Sequence, residues 1–559
     1  MEPVWLKSYQ AGIPATINPD EYPSLNALFT AIFSKYKNLA AFTNMDHVLT
    51  YDDVDKLSRY FAAYLQEKFQ LAKGERIAIM MPNLLQYPVA MMGILRAGCI
   101  VVNVNPLYTA EEFENQLIDA QAKVLIILEN FVHVIAGSIA KTDIKNVIVT
   151  KVGDLLPFPK SMLANFFVKY IKFMVPRWNL KSFDWFTDVI SEGKKLQYKE
   201  LNITGQDIAF LQYTGGTTGK PKGAMLTHRN MVANILQASA WLSKSFVPRK
   251  EIIITALPLY HIFSLTANCL VFLNYGAFNV LITNPRDVKS FVKDLKKHKF
   301  TAITGVNTLF NLLLHSAEFA TVDFSNLKLA LGGGMAVQKA VANKWQQITK
   351  HPLLEAYGLT ETSPAVCINP LYLNSFNGSI GLPVPSTEIS VRDDKGNELG
   401  FDEPGELYVR GPQVMLGYWK QEKETKNVLS SDGWLRTGDI VTVNSEGFVK
   451  IVDRKKDMIS VSGFKVYPNE IEDVIAAMPG VREVAVIGAP DNTAGEMVKA
   501  YIVKSDASVT EESVRAYCHE HLTNYKVPKV VEFRDRLPKN NVGKILRREL
   551  RDEKKNPSS

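Results

Sequence analysis

Short apolar runs rich in β-branched residues recur through the first two-thirds of the chain, each too short for a helix. They are RIAIMM (76–81), CIVVNV (99–104), KVLIIL (123–128), NVIVT (146–150), IIITAL (252–257), NVLIT (279–283) and TAITGV (301–306). Strands that are apolar on both faces need cover on both faces, which parallel sheets flanked by helices provide. LLQYPVAMMGILRAG (84–98) and VKSFVKDLKKHK (288–299) are helical candidates between them. The alternation predicts two α/β units, at about 50–190 and 205–360. A chain of 559 residues exceeds one ordinary core, so several domains are expected.

Near residue 370 the texture changes. SIGLPVPS, EISVRD, GELYVRG and GFVKIVD are short strands separated by Gly, Pro and Asp, the composition of antiparallel hairpins or a barrel. After IVDRKKD comes a helix at YPNEIEDVIAAMPG, with strands at VREVAVIGAP and VKAYIVK. The expected architecture is α/β and multi-domain. Residues 1–455 form a large N-terminal domain of two α/β sheet subdomains plus a small β-barrel at about 370–450. Residues 456–559 form a mobile α+β C-terminal domain.

Composition narrows the class. The chain is 46% hydrophobic and 22% charged, as soluble globular proteins are. Cys99, Cys269, Cys367 and Cys518 are far apart, which argues against a disulfide framework or zinc site and suits a reducing cytosol. The N-terminal residues lack a basic region followed by an apolar run, so no signal peptide is expected. Residues 252–285 carry almost no charge, yet Pro258, Gly276 and several Asn interrupt them; they read as strand, loop, buried helix and strand, not a membrane span.

The net charge of +7 is unevenly placed. Between Asp154 and Asp184 lie Lys160, Lys169, Lys172, Arg177 and Lys181 with no acid, interleaved with Phe166, Phe167, Phe173, Met174 and Trp178. On a helix, Asn165, Lys169 and Lys172 share one face, and Leu163, Phe167, Ile171 and Met174 the opposite one. Such a segment either lies on an anionic membrane surface or packs on the domain with its basic face in solvent. No binding motif accompanies it, so nucleic acid is not an expected partner.

The stretch YTGGTTGKPKG (213–223) has the ingredients of a phosphate loop. Gly215, Gly216 and Gly219 allow positive φ and bring N–H groups near an anion. Thr214, Thr217 and Thr218 add hydroxyls, and Lys220 and Lys222 add charge. The register is not that of the P-loop, G-x-x-x-x-G-K-[ST]: three residues separate Gly215 from Gly219, and Pro221 follows Lys220. AFLQY before the loop reads as a strand, and GAMLTHRNMVANIL after it leads into a helix, the usual placement of a phosphate site. Taken alone, the stretch also fits a surface turn.

Other islands recur downstream. LGGGMAV contains Gly332, Gly333 and Gly334, which permit a tight turn or close approach of a flat ring. YGLTETSP sets Glu361 beside Thr360, and Mg²⁺ on phosphates takes only one or two protein carboxylates. DGWLRTGD ends in Asp439, an acid that can accept ribose hydroxyls. DRKKD supplies Arg454, and NNVGKILRREL supplies Lys544. Each has a plainer alternative as a turn, a cap or a solvated charge.

In order and along nearly the whole chain, these motifs resemble the adenylate-forming acyl-CoA synthetase superfamily. YTGGTTGKPKG, YGLTE, the TGD/DR pair and NVGKILRREL are the most specific marks. LPLYHIFSLT, NPRDV, AITGVNTLFN, GSIGLPVPSTE and GPQVMLGYW are similar to those of bacterial long-chain fatty acid–CoA ligases. The resemblance implies that ATP, a long-chain fatty acid and CoA give acyl-CoA, AMP and pyrophosphate through an acyl-adenylate. It implies a nucleotide-phosphate loop running through Tyr213, Thr214, Gly215, Gly216, Thr217, Thr218, Gly219, Lys220, Pro221, Lys222, Gly223 and Ala224. Thr214 and Glu361 would hold Mg²⁺. Gly332, Gly333, Gly334, Tyr357 and Gly358 would surround adenine, Asp439 and Arg454 would bind ribose, and Thr360 the α-phosphate. Lys544 would bridge carboxylate and phosphate, Lys456 would be a hinge, and Ser462, Gly463 and Phe464 would line a pantetheine channel. His261 is either a packed core histidine or, by the resemblance, a neighbour of the acyl carboxylate. A carrier-loading ligase and a non-catalytic lipid-binding homologue are the other readings. Family members often form homodimers, and the expected location is cytoplasmic, with peripheral attachment to the inner membrane face.

Overall fold

All seven apolar runs form strands, and each pairs in parallel with at least one other of the seven. The structure is a computed structural model and describes residues 2–214, 222–491, 494–540 and 543–553. The runs divide between two sheets. The first has eight strands, in the order Gly417–Tyr418, Lys222–Thr227, Ile208–Thr214, Ile100–Asn103, Arg76–Met80, Val124–Leu128, Asn146–Thr150, Asp184–Trp185. The second has nine, in the order Leu382–Pro383, Ala365–Ile368, Leu353–Gly358, Leu329–Gly332, Ala302–Gly305, Ile252–Thr255, Phe278–Leu281, Ala40–Asn44, His47–Thr50.

The partition differs from a simple cut along the chain. Phe210 pairs with Val101, so Ile208–Thr214 belongs to the first sheet and not to a unit beginning at 205. Ala40–Asn44 crosses instead to the second sheet, beside Phe278–Leu281. The helix Gln86–Arg96 is buried along its whole length, as a helix with apolar residues all round must be. Residues 252–285 form strand, buried helical turns and strand as expected, and no described helix is long and apolar enough to cross a membrane.

The β-rich region corrects one expectation. Glu388–Arg392, Gly405–Arg410, Leu435–Val443 and Val449–Arg454 form an open four-stranded antiparallel sheet, not a barrel. Two nearby strands that a closed barrel would need are used elsewhere. Leu382–Pro383 extends the second sheet and Gly417–Tyr418 the first. Four strands are too few to close on themselves around a core.

A five-stranded sheet built from residues 459–533 forms a separate C-terminal domain with its own core of Ile459, Val466, Ile471, Val484, Ile502 and Val514. Arg547 ties it to the four-stranded sheet. Its guanidinium donates to Asp453 at 3.1 Å, to Glu472 at 2.6 and 3.0 Å, and to Asn469 at 2.6 Å. Asp453 is almost fully buried, and a buried carboxylate without its partner is strongly destabilising. Arg547→Met is expected to cost about 3–5 kcal/mol in chemical denaturation. A variant with wild-type stability would mean that water or Asn469 can replace the arginine.

Candidate active site

The sheets, the four-stranded sheet and the C-terminal domain meet around a cavity of about 1690 Å³. Strand Ile208–Thr214 ends at its wall, with Thr214 opposite Lys222 across an antiparallel ladder. Gly215, Gly216, Thr217, Thr218, Gly219, Lys220 and Pro221 lie outside the described residues. The strand-loop-helix expectation is overturned here: the loop joins two antiparallel strands, Ile208–Thr214 and Lys222–Thr227. The helix starts only at His228, where Thr227 and Asn230 form a reciprocal cap, because Gly223–Thr227 pairs as a strand first.

The flanks of the loop are held by named contacts. A Cβ on Gly223 would meet the Tyr213 ring at 3.0 Å, so glycine lets that ring lie flat on the ladder. The Tyr213 hydroxyl donates to Asp119 at 2.5 Å. Ala224 pairs with Gln212. Lys222 forms an ion pair with Glu424 and lies 5.3 Å over the Tyr418 ring. The Tyr418 hydroxyl donates to Glu361 at 2.7 Å, so Lys222, Tyr418 and Glu361 form one cluster at the cavity wall.

Across the cavity the glycine run shapes a slot. A Cβ on Gly333 would meet the Phe263 ring at 3.0 Å and the Ala356 carbonyl at 3.1 Å. Gly334 has φ of +76° and lines the cavity with Gly333, whereas Gly332 packs against Val337. Tyr357, Gly358 and Thr360 form the neighbouring wall. The Tyr357 hydroxyl donates to Asp439 at 2.6 Å, and Arg454 Nε lies 3.4 Å from the other oxygen of Asp439. Asp439 and Arg454 are direct partners in the antiparallel register. Two side chains, Tyr357 from the second sheet and Arg454 from the paired strand, thus share the Asp439 carboxylate.

His261 and Lys544 face the same cavity from opposite domains. Burial, reinforced by the Lys544 charge, lowers the His261 pKa to about 4, so its ring is neutral at physiological pH. Its Nδ1 accepts the Phe263 N–H at 3.4 Å, which leaves Nε2 to carry the proton. Asn83 shapes the turn that leads to this histidine. It donates to the Thr255 and Leu257 carbonyls, both at 2.9 Å, and accepts the Leu259 N–H at 2.8 Å. Burial first, then the Arg454 charge, lowers the Lys544 pKa to about 7. Thr308 holds the adjacent Gly543 carbonyl at 3.2 Å.

Lys456 also lines the cavity. Ser462, Gly463 and Phe464 do not: they form a turn between Ile459–Val461 and Phe464–Val466, where Phe464 stacks on Tyr525 at 4.8 Å. Glu355 is a further site residue: its buried carboxyl lines the cavity, accepts the Val337 N–H at 2.8 Å and is pushed by burial up to about 8. Period-2 alternation from Tyr357 on the same strand could have found it. Nothing local marks Asp119 or Asn83, and nothing within GPQVMLGYW sets Tyr418 apart; all three act across long sequence separations.

Residues 29–419 match the AMP-binding enzyme family, and residues 470–544 match the AMP-binding enzyme C-terminal domain. A long-chain-fatty-acid–CoA ligase of Yersinia pestis is 56% identical over 553 residues, spanning 99% of this chain and 98% of its own length. One from Escherichia coli O157:H7 has the same identity and coverage. The crystal structure of ATP-bound MatB from Rhodopseudomonas palustris is similar with a TM-score of 0.82 at 28% identity, over 96% of this chain and all of that one.

The lowered Lys544 pKa predicts selective chemistry. Amine-reactive labelling followed by mass spectrometry should show Lys544 half-reacted near pH 7, well below ordinary lysines at about 10.4. Removing a neighbouring cation with Arg454→Met should move that midpoint upward. An ordinary lysine midpoint in the wild type would contradict the electrostatics described.

Proposed function

This chain belongs to the AMP-binding enzyme family, and from that premise we propose how its cavity joins a long-chain fatty acid to CoA. The protein is an AMP-forming acid–thiol ligase, a long-chain fatty acid–CoA ligase that uses ATP and CoA. The observation that carries the site reading is the gathering of Tyr357, Asp439, Arg454, Glu361 and Lys544 around one cavity from two domains.

The fatty carboxylate is already ionised at neutral pH, so the reaction needs charge stabilisation more than a base. A carboxylate oxygen attacks the α-phosphorus, the bond from phosphorus to the bridging oxygen breaks, and pyrophosphate leaves with that electron pair. Lys544 bridges carboxylate and phosphate oxygens, Thr360 donates to the α-phosphate, and neutral His261 orients the carboxylate through its Nε2 proton. Asp439 and Arg454 hold ribose, and the Gly333–Gly334 slot beside Tyr357 takes the flat adenine. CoA sulfur then attacks the acyl carbon, the carbon–oxygen bond to AMP breaks, and the thiol proton passes to solvent.

Thr214 and Glu361 suit Mg²⁺ bound to nucleotide, since one carboxylate and one hydroxyl at the cavity wall leave room for phosphate oxygens and waters. When bound, Mg²⁺ neutralises charge on the phosphates. Tyr418 orients the Glu361 carboxylate that would hold it.

Two half-reactions need two arrangements of the C-terminal domain. With Lys544 in the cavity, Ser462, Gly463 and Phe464 stand away from it. Rotation at Lys456, with a boundary at 455/456, would withdraw the lysine and bring that turn in to line the pantetheine. The same reading carries a cytoplasmic protein attached peripherally to the inner membrane face, and a homodimer.

The first experiment is AMP and pyrophosphate release with C8 to C18 acids, with and without CoA. CoA-dependent turnover peaking at C14–C18 is expected; acyl-AMP accumulating despite CoA would indicate a carrier-loading ligase. Lys544→Ala should lower acyl-AMP formation by about 100-fold or more, the scale of losing one transition-state electrostatic contact. Thioester formation from supplied acyl-AMP should survive. Equal loss in both halves would sink the rotation account.

A further inference from the structure

The connection between strands Asn146–Thr150 and Asp184–Trp185 carries a dense run of exposed apolar side chains. Phe158 and Phe173 are 80% and 79% exposed, and between them Met162, Phe166, Tyr170 and Ile171 are each more than half exposed. A packed helix with a solvated basic face, one of the two sequence-based alternatives, is thereby excluded: the apolar face itself is open. Surface hydrophobics clustered this way mark an interaction site.

The segment is held in that pose. Lys169 donates to the buried Glu129 carboxylate at 2.8 Å, Asn165 accepts the Gly153 N–H at 2.8 Å, and Asn130 donates to the Met174 carbonyl at 2.9 Å. These polar contacts turn the helix Lys160–Phe166 and its continuation Phe167–Ile171 so that the hydrophobic side faces out. Lys169 is therefore an anchor to the domain, not a free surface charge. Lys172, Arg177 and Lys181 are exposed, and Lys172 lies 5.6 Å over the Phe167 ring of the apolar patch.

We propose that residues 158–181 dock the enzyme on a lipid bilayer bearing anionic headgroups, with Phe158, Phe166 and Phe173 entering the acyl region and Lys172, Arg177 and Lys181 meeting the headgroups. The inference deepens the peripheral-attachment reading and rests on it. Charge selects this occupant over a second copy of the chain. A two-fold interface sets the same patch against itself, and here it would oppose basic residues with no acid between Asp154 and Asp184 to pair them. An anionic leaflet complements both the apolar and the basic part. The position also suits delivery of an acyl substrate. The segment follows the C-terminal end of strand Asn146–Thr150, and cavity-lining Asn105, Leu107 and Tyr108 follow the C-terminal end of parallel strand Ile100–Asn103. Docking element and cavity share one edge of the first sheet.

The test is flotation of the full chain with phosphatidylcholine vesicles, with and without phosphatidylglycerol, for the wild type, a Phe158→Ser/Phe166→Ser/Phe173→Ser variant and a Lys172→Glu/Arg177→Glu variant. Wild-type binding should favour the anionic vesicles. The triple serine variant should lose at least tenfold on both compositions, and the charge variant should lose the preference for phosphatidylglycerol. CoA-dependent turnover of a soluble C10 acid is measured in parallel. All three proteins should retain it, which shows that they are folded. Turnover without wild-type vesicle binding, or equal binding by the serine variant, overturns the docking proposal and leaves the ligase reading intact. No turnover by any protein overturns the ligase reading whatever the vesicles show. Sedimentation velocity without lipid adds the last arm: a wild-type dimer that the serine variant abolishes, with no vesicle binding, assigns the patch to a second copy instead.

Discussion

One antiparallel ladder, between Leu435–Val443 and Val449–Arg454, holds both halves of the site. Its register sets Asp439 opposite Arg454 and Ile440 opposite Asp453. Asp439 receives Tyr357 from the second sheet, while Asp453 receives Arg547 from the C-terminal domain. A slip of one residue would send each side chain to the opposite face, separating Tyr357 from its acceptor and leaving Arg547 without one of its carboxylates. The cavity wall at Tyr357 and the approach of Lys544 therefore depend on the same hydrogen-bond pattern.

The charge balance of the cavity follows from that arrangement. Arg454, Lys456 and Arg547 surround Lys544, and their fields add to burial in favouring its neutral form, opposed by Asp439. A polyanionic ligand reverses this balance, because it supplies the negative charge that the cluster lacks. A lysine poised near neutrality gains most from such a ligand and loses most when it departs. That property suits a side chain proposed to enter for one half-reaction and withdraw for the next. His261 shows the complementary case: burial and the Lys544 charge keep it uncharged.

The apolar segment 158–181 and the cavity stand at one edge of the first sheet, as parallel topology arranges it. Connections leaving the C-terminal ends of parallel strands emerge together, and ligand sites collect there. Long-chain acids partition into bilayers, so a bilayer-docking element on that edge would shorten the path from lipid to cavity.

Much of the fold was legible because the signals are local. Apolar runs of strand length recur between amphipathic stretches, and all seven became parallel strands. Their assignment to sheets was not legible, since Ile208–Thr214 and Ala40–Asn44 each pair with strands that sequence order would assign elsewhere. Nor was the open sheet at 388–454, whose would-be barrel strands are captured by larger neighbours. Tyr357, Asp439, Glu361 and Lys544 stood out as polar residues in glycine-containing stretches and Arg454 in the charged run DRKKD, and each lines the cavity. Asn83, Asp119, Tyr418 and Glu355 did not, although they fix the site. The partners of Asn83, Asp119 and Tyr418 lie far away in the chain and leave no local pattern, whereas only the period-2 alternation from Tyr357 points to Glu355. By itself the sequence determined element types, the ordered motifs and the family they indicate. Tertiary structure alone decided which face of residues 158–181 meets solvent, because that depends on where Glu129 offers its carboxylate to Lys169.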